Sequence, residues 1–328
     1  TVQTKNGNTF FIVIDYDAPI NEAGQVTPKY MELREMLSGY SDKKLPSIPK
    51  EFPVINVPKI QFTEVAPLFE NLPAPHASMD IQTMEAFNQG WGSILYRTKT
   101  PAVPTQSILT ITDAHDFAQV FINGKLIGSI DRRNHEKTML LPAMKEGDQL
   151  DILVEAMGRI NFGRAIKDFK GITEKVELSY TMNTGSQVTV NLKNWQIYTL
   201  SDSYQVQKDM KYVPLKDQKV PGCYRATFNL KKTGDTFLNL ETWGKGQVYV
   251  NGHAIGRFWK IGPQQTLYMP GCWLKKGENE IIVQDIVGPQ ETVVEGLSKP
   301  IIDKLNVDAP NTHRKEGQTL NLAGETPC

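Results

Sequence analysis

Cysteine is scarce: the 328 residues contain three, Cys223, Cys272 and Cys328, too few and too irregularly spaced for a disulfide framework or a zinc site. Cys223 and Cys272 each follow a Pro-Gly turn, in PGCYR and PGCWL; they read as core or loop residues, and a single bridge between them stays open. Charge of one sign is also missing. Lys and Arg number 36, Asp and Glu 36, and the net charge is zero, so the chain lacks the electrostatic footprint of a nucleic-acid or anionic-membrane binder. The longest strongly apolar run, Phe10 to Ile14, falls far short of a bilayer span, and no charged segment followed by an apolar one opens the chain. A soluble protein with neutral partners is expected. His76, His115, His135, His253 and His313 show no metal-ligand spacing, so neither a metal nor a cofactor is expected, and none is singled out as catalytic.

What the sequence does contain is one segment written twice, QVFINGKLIG from Gln119 to Gly128 and QVYVNGHAIG from Gln247 to Gly256. The same offset of 128 residues carries Tyr96-Arg97 onto Tyr224-Arg225 and Pro142 onto Pro270. A period of this length suits a whole domain used twice rather than a solenoid unit.

The opening differs from the rest. Phe10 to Asp17, FFIVIDYD, is a continuous apolar run ending in acidic and aromatic residues, which suits a strand buried on both faces of a parallel sheet. A helix is expected from Thr27, with Thr27 as N-cap and Pro28 at the first helical position of TPKYMELREML. This is one strand-loop-helix unit of an α/β barrel, and one such unit cannot bury its own strand. The stretch KKLPSIPKEFPVINVPK, Lys43 to Lys59, holds four prolines and favours an extended connector. Beyond it come short runs of β-branched and aromatic residues broken by Gly, Pro, Asn and Asp, the pattern of antiparallel sandwiches. In each copy an Asn-Gly pair, Asn123-Gly124 and Asn251-Gly252, predicts a tight type I′ hairpin rather than a ligand site.

Three segments together resemble the glycoside hydrolase family 35 beta-galactosidases. IDYDAPINEAG with TPKYMELR is similar to the last strand and helix of that family's catalytic (β/α)8 barrel. LVEAMGRINFGRAIKDFKGI, Leu153 to Ile172, is similar to a loop signature of its first β domain, and KGQVYVNGHAIGRFWKIGPQQTLYMP, Lys245 to Pro270, to its second galactose-binding-like jelly roll. The fold class implied is mainly β: two galactose-binding-like jelly-roll β-sandwiches preceded by one residual βα unit of a (β/α)8 barrel. The expected division is a barrel remnant over 1–42, a Pro-rich linker over 43–58, a first sandwich over 59–184, a second over 185–307 and a tail over 308–328.

The resemblance implies a retaining exo-enzyme acting on β-galactosides or galactose-containing glycans, with two glutamates about 5 Å apart. Those glutamates belong to earlier barrel strands, so no catalytic residue is expected in this chain. Asp15 and Asp17 share one side of a strand, but the motif places them on the last strand, where they orient neighbours. Tyr16 occupies the place of a family tyrosine that contacts galactose at the barrel mouth; where many relatives have an aromatic two residues earlier, this chain has Ile14. Arg159, Asn161, Phe162 and Arg164 form a candidate loop for docking on the barrel. Trp243, Arg257, Phe258 and Trp259 are candidates for carbohydrate or interdomain contact. The functional expectation is therefore the non-catalytic C-terminal region of a beta-galactosidase, its barrel supplied in cis or in trans. Alternatives are a stand-alone carbohydrate-binding jelly-roll protein and one subunit of a split enzyme. A periplasmic or extracellular location is implied by the resemblance alone.

Overall fold

The computed structural model describes residues 18–21, 23–160, 166–182 and 184–306, with the backbone of 2–3 and 9–10. Strands β1 (Val2–Gln3) and β2 (Thr9–Phe10) form a short antiparallel pair. Residues 11–17, which carry the rest of the expected barrel strand and Tyr16, lie outside the described residues. Helix α1 (Pro28–Ser38) starts as its sequence dictates: Thr27 Oγ1 accepts the Tyr30 amide at 3.4 Å and Pro28 takes the first turn. None of its residues is buried, and Met31, Met36 and Leu37 are about half exposed.

After the proline-rich stretch the chain makes β3 (Val57–Gln61) and β4 (Glu64–Pro67). Then come β5 (His76–Ser78), β6 (Gly92–Lys99), β7 (Ser107–Ile111), β8 (Ala114–His115), β9 (Phe117–Ile122) and β10 (Lys125–Asp131). β11 (Thr138–Leu141), β12 (Gln149–Ala156), β13 (Gly171–Ile172), β14 (Val176–Thr181), β15 (Gln187–Asn191) and β16 (Trp195–Leu200) follow. A short helix α2 (Tyr204–Lys208) leads to β17 (Val213–Pro214), β18 (Gly222–Leu230), β19 (Thr236–Asn239) and β20 (Lys245–Val250). The last four are β21 (His253–Trp259), β22 (Thr266–Met269), β23 (Gly277–Asp285) and β24 (Val293–Leu297).

These strands build two compact units. In the first sandwich a six-stranded antiparallel sheet, β10-β9-β12-β6-β16-β5, packs on a four-stranded one, β11-β7-β14-β15. Ile94, Tyr96, Val120, Ile152 and Val154 of the larger sheet meet Leu109, Ile111, Val176 and Leu178 of the smaller. The second sandwich repeats both orders, β21-β20-β23-β18-β4-β17 and β22-β19-β24-β3. Its core joins Tyr224, Val248, Ile281 and Val283 to Leu238, Leu267 and Val294. Outside its larger sheet, Tyr204 of α2, Met210 and Tyr212 cover Cys223, Tyr249 and Ile282. Cys223 is buried, Cys272 exposed, and both are free thiols.

The doubled segment is one hairpin in each sandwich, β9–β10 and β20–β21. Asn123 and Gly124 have φ of 49° and 78°, Asn251 and Gly252 49° and 89°, the positive values a type I′ turn requires. Both hairpins also carry a bulge at the same repeat position: the register skips Ile127 in one and Ile255 in the other. Each skipped isoleucine packs against its own core, so the bulge turns an apolar side chain inward.

The repeat breaks at the ends. The strands beside β6 and β14 in the first sandwich, β16 and β15, are its last; the corresponding strands of the second, β4 and β3, precede the first sandwich altogether. The second sandwich is thus a circular permutant of the first. Residues 57–67 therefore pair within the second sandwich and 187–200 within the first, on the other side of the boundaries expected at 59 and 185. The end of the expected linker is likewise part of the second core, since Ile55 and Val57 are buried there.

Candidate functional site

At one end of the first sandwich, two polar stretches converge. TDAHDF (112–117) is polar up to the start of β9, and KDFK (167–170) leads into β13. Pairing of β13 with β8 sets Gly171 opposite His115. Gly171 has φ +85°, and a Cβ there would lie 2.2 Å from Tyr96 Oη. Only glycine allows that approach. Tyr96 Oη in turn accepts the Ile172 amide at 3.1 Å and donates to the Gln82 carbonyl at 2.8 Å.

The result is a buried ionic cluster. Asp116, with no solvent exposure, accepts Arg132 Nη1 at 2.6 Å on Oδ1, and Lys170 Nζ and the Met157 amide, each at 2.7 Å, on Oδ2. Lys170 Nζ, equally buried, also lies 2.8 Å from Asp168 Oδ2. Asp168 Oδ1 is 3.3 Å from Arg132 Nη1 and 3.1 Å from His115 Nδ1, and His115 Nε2 is 3.0 Å from Asp113 Oδ2. The His115 hydrogen bond, with help from Thr173 and against partial burial, holds the Asp113 carboxyl down at about 2. Burial opposes ionisation of Asp168, but bonds from His115 and Lys170 prevail and keep it well below the usual carboxylate range. Burial also works against a charged His115, yet Asp113 and Asp168 push it up to about 9.

Arg159, expected in a docking loop, points into its own sandwich. Nη1 donates to the Asp168 carbonyl, and Nη2 to Glu85 Oε1 and the Gly90 carbonyl, all at 2.6 Å. Burial pushes Glu85 up, but the Arg159 bond and the Lys170 amide bring it below its ordinary value. Asn161, Phe162 and Arg164 lie outside the described residues, as does Tyr16. Trp91 and Phe169, next in sequence to the Gly90 and Asp168 carbonyls that Arg159 bonds, are 59% and 42% exposed, and Ile166 is 63% exposed.

The aromatic group of the second sandwich does not form one surface. Trp243 is buried in the core, edge-on to Phe62 and Tyr224 with centroids 4.9 and 5.3 Å away, and its Nε1 donates to the Val293 carbonyl at 2.9 Å. Phe258 belongs to the same core, so neither ring has a face free for a sugar. Trp259 is covered by the Lys245 ammonium, 3.8 Å from its ring centroid. Arg257 is half-buried on β21, opposite Gln247. Burial of apolar rings outweighs any advantage of displaying them.

Sequence reasoning passed over His115, Asp113, Asp116, Arg132, Asp168 and Lys170. The available signal was a histidine between two aspartates at the mouth of a strand, matched by a Lys-Asp-x-Lys run before another strand.

Residues 82–201 match the family model described as the first all-beta domain of beta-galactosidase, and 221–279 match its galactose-binding domain. Beta-galactosidase-1-like protein 3 of Rattus norvegicus is 34% identical over 295 residues, covering 85% of this chain and 44% of that protein. Beta-galactosidase 1 of Dictyostelium discoideum is 31% identical over 332 residues, 88% of this chain and 47% of its own. For the beta-galactosidase of Xanthomonas manihotis the values are 33% over 256 residues, 78% and 41%. The chain spans less than half the length of these relatives. Its two β domains are those of the beta-galactosidases, and the chain belongs with the C-terminal region of that family.

Proposed function

We propose that the chain is the non-catalytic C-terminal region of a retaining exo-beta-galactosidase, in which the two sandwiches brace a catalytic barrel and help shape access to a galactose-containing substrate. The observation that carries this reading is the correspondence of 85% of the chain to 44% of a beta-galactosidase-like relative, through both of the family's β domains. The ionic cluster supports it. A retaining glycosidase needs one carboxyl held protonated as the acid and a second free as nucleophile, whereas Asp113, Asp116 and Asp168 are all tied to cations. Such a cluster is suited to holding a loop in place. The exposed apolar residues Trp91, Ile166 and Phe169, in or next to the stretches that Arg159 bonds, offer apolar surface of the kind domain interfaces use. On this reading Tyr16 contacts the terminal galactose and Asn161, Phe162 and Arg164 take part in docking.

The purified chain should give no turnover of a chromogenic β-galactoside, and should gain activity only when a catalytic barrel is joined to it or added in trans. Turnover by the chain alone would refute the proposal. The alternative of a carbohydrate-binding module draws on the description of the second domain as galactose-binding. Titration of galactose, read by backbone chemical shifts in the second sandwich, separates the two: saturable shifts at millimolar sugar favour the binding module.

A further inference from the structure

We propose that His115 is the balancing cation of a pH-sensitive latch: as an imidazolium it ties the 167–170 segment to the ends of β8 and β9, and loss of its proton loosens that segment.

The charge count comes first. Three carboxylates, Asp113, Asp116 and Asp168, meet two permanent cations, Arg132 and Lys170. Arg159 and Glu85 neutralise each other at 2.6 Å. Among the described residues one negative charge is left over in a largely buried cluster unless His115 carries a proton, and an uncompensated buried charge is strongly unfavourable. Geometry gives the same answer independently. His115 Nδ1 faces the Phe169 carbonyl and lies 3.1 Å from Asp168 Oδ1, while Nε2 lies 3.0 Å from Asp113 Oδ2. Every partner is an acceptor. A neutral imidazole has a single N–H and would turn its other lone pair on an oxygen; only the imidazolium donates on both sides.

The sign of the pH effect follows. The imidazolium is favoured in the fold, with its titration moved from 6.5 up to about 9 by Asp113 and Asp168 against burial. Its contribution is complete below about pH 6.5 and is lost as pH rises through about 9. The groups facing it are Asp113 beside β8, Asp168 before β13 and Arg132 after β10, with Asp116 and Lys170 one contact further in. Loss of the proton leaves Lys170 on Asp116 and Arg159 on the Asp168 carbonyl. The loosening is therefore local, and it acts on the stretch that carries the exposed Phe169. The latch depends only on these contacts and stands whether or not that surface docks on a barrel.

Titration of the histidine ring resonances in the full chain, with His115 assigned through His115→Gln, tests the inference. Half-titration near pH 9 is expected. In parallel, hydrogen exchange at the Lys170 and Thr173 amides, bonded to Glu85 and to the Asp113 carbonyl, should rise about tenfold between pH 8 and 10 beyond the intrinsic increase. Amides of β20 should show no such excess. His115→Gln should exchange fast at every pH, and His115→Lys, which keeps the charge, slowly at every pH. Half-titration at or below 6.5, or a pH step that survives in either variant, overturns the latch. If His115→Gln does not fold, the wild-type titration and His115→Lys decide the matter.

Discussion

Positions 116 and 244, one repeat apart, close the same gap from opposite sides. In the first sandwich Asp116 reaches across to the amide of Met157 at 2.7 Å. In the second, the residue 128 positions after Met157 is Asp285, and it reaches back to the amide of Gly244 at 2.6 Å. A Cβ at Gly244 would lie 2.7 Å from Val287 Cβ and 2.9 Å from Asp285 Oδ1, so the second sandwich has no room for a carboxylate on both sides. Two adjoining strand ends leave an amide that must find an acceptor, and either strand can supply it. What differs is the company. Asp116 is bonded to Arg132 and Lys170, whereas Asp285 accepts four backbone amides, from Gly244, Lys245, Val287 and Gly288. His115 has Trp243 as its counterpart, an ion-paired ring in one copy and a core ring in the other.

The sharpest way to break this contrast is Lys170→Met. It removes the buried cation shared by Asp116 and Asp168, leaves the cluster short of one positive charge, and should cost the first sandwich about 3–5 kcal/mol while leaving the second unchanged. Residue-resolved hydrogen exchange reads both, and a loss shared equally between them would dissolve the distinction. Next in size is Asp285→Asn, which places an NH2 group among amide donors; about 1–3 kcal/mol should be lost, this time from the second sandwich alone.

Acid should separate the two in a predictable order. Asp113 and Asp168 titrate below their ordinary range, so their contribution is present above about pH 4 and fails as pH falls towards 2. Burial instead raises Asp285 despite its four amides; its protonated form is favoured, and acid does not weaken that closure. Exchange in β8 and β13 should therefore accelerate before exchange in β20 and β23. Simultaneous loss would mean the clusters do not govern acid stability. The smallest test compares turns. Asn251→Ala loses bonds to the Trp273 carbonyl and Asn279 side chain, and an acceptor for the Glu280 amide, for about 1–2 kcal/mol. Asn123→Ala, whose bonds to Asp148 and the Gln149 amide are exposed, should lose less by chemical denaturation.

The hairpins were legible because a type I′ turn depends on two adjacent residues, and α1 because Thr27 and Pro28 act within one turn. The mainly β fold and the family followed from long motifs. The permutation was hidden: β3–β4 and β15–β16 occupy equivalent places, yet no shared offset relates KIQFTEV to VNLKNWQI, since strand partners are chosen across the sheet and not along the chain. Trp243 and Phe258 stood out as aromatic residues, but whether a ring faces core or solvent is settled by the opposing sheet. The ionic cluster was hidden for the same reason, because its members come from three separate stretches, 113–116, 132 and 168–170, and the pairing of β13 with β8 brings two of them together.

The permuted order of the second sandwich also has a temporal side. During synthesis β3 and β4 emerge early, while β18, the partner of β4, is made about 150 residues later. At roughly 5–20 residues per second the two strands wait on the order of ten seconds or more with unpaired edges. All strands of the first sandwich are made within that interval. Pro46, Pro49 and Pro53 ahead of β3 and Pro58 and Pro67 within the pair lack an amide hydrogen to offer a stray strand, so the early segment is poorly suited to mispairing while it waits for the rest of its domain.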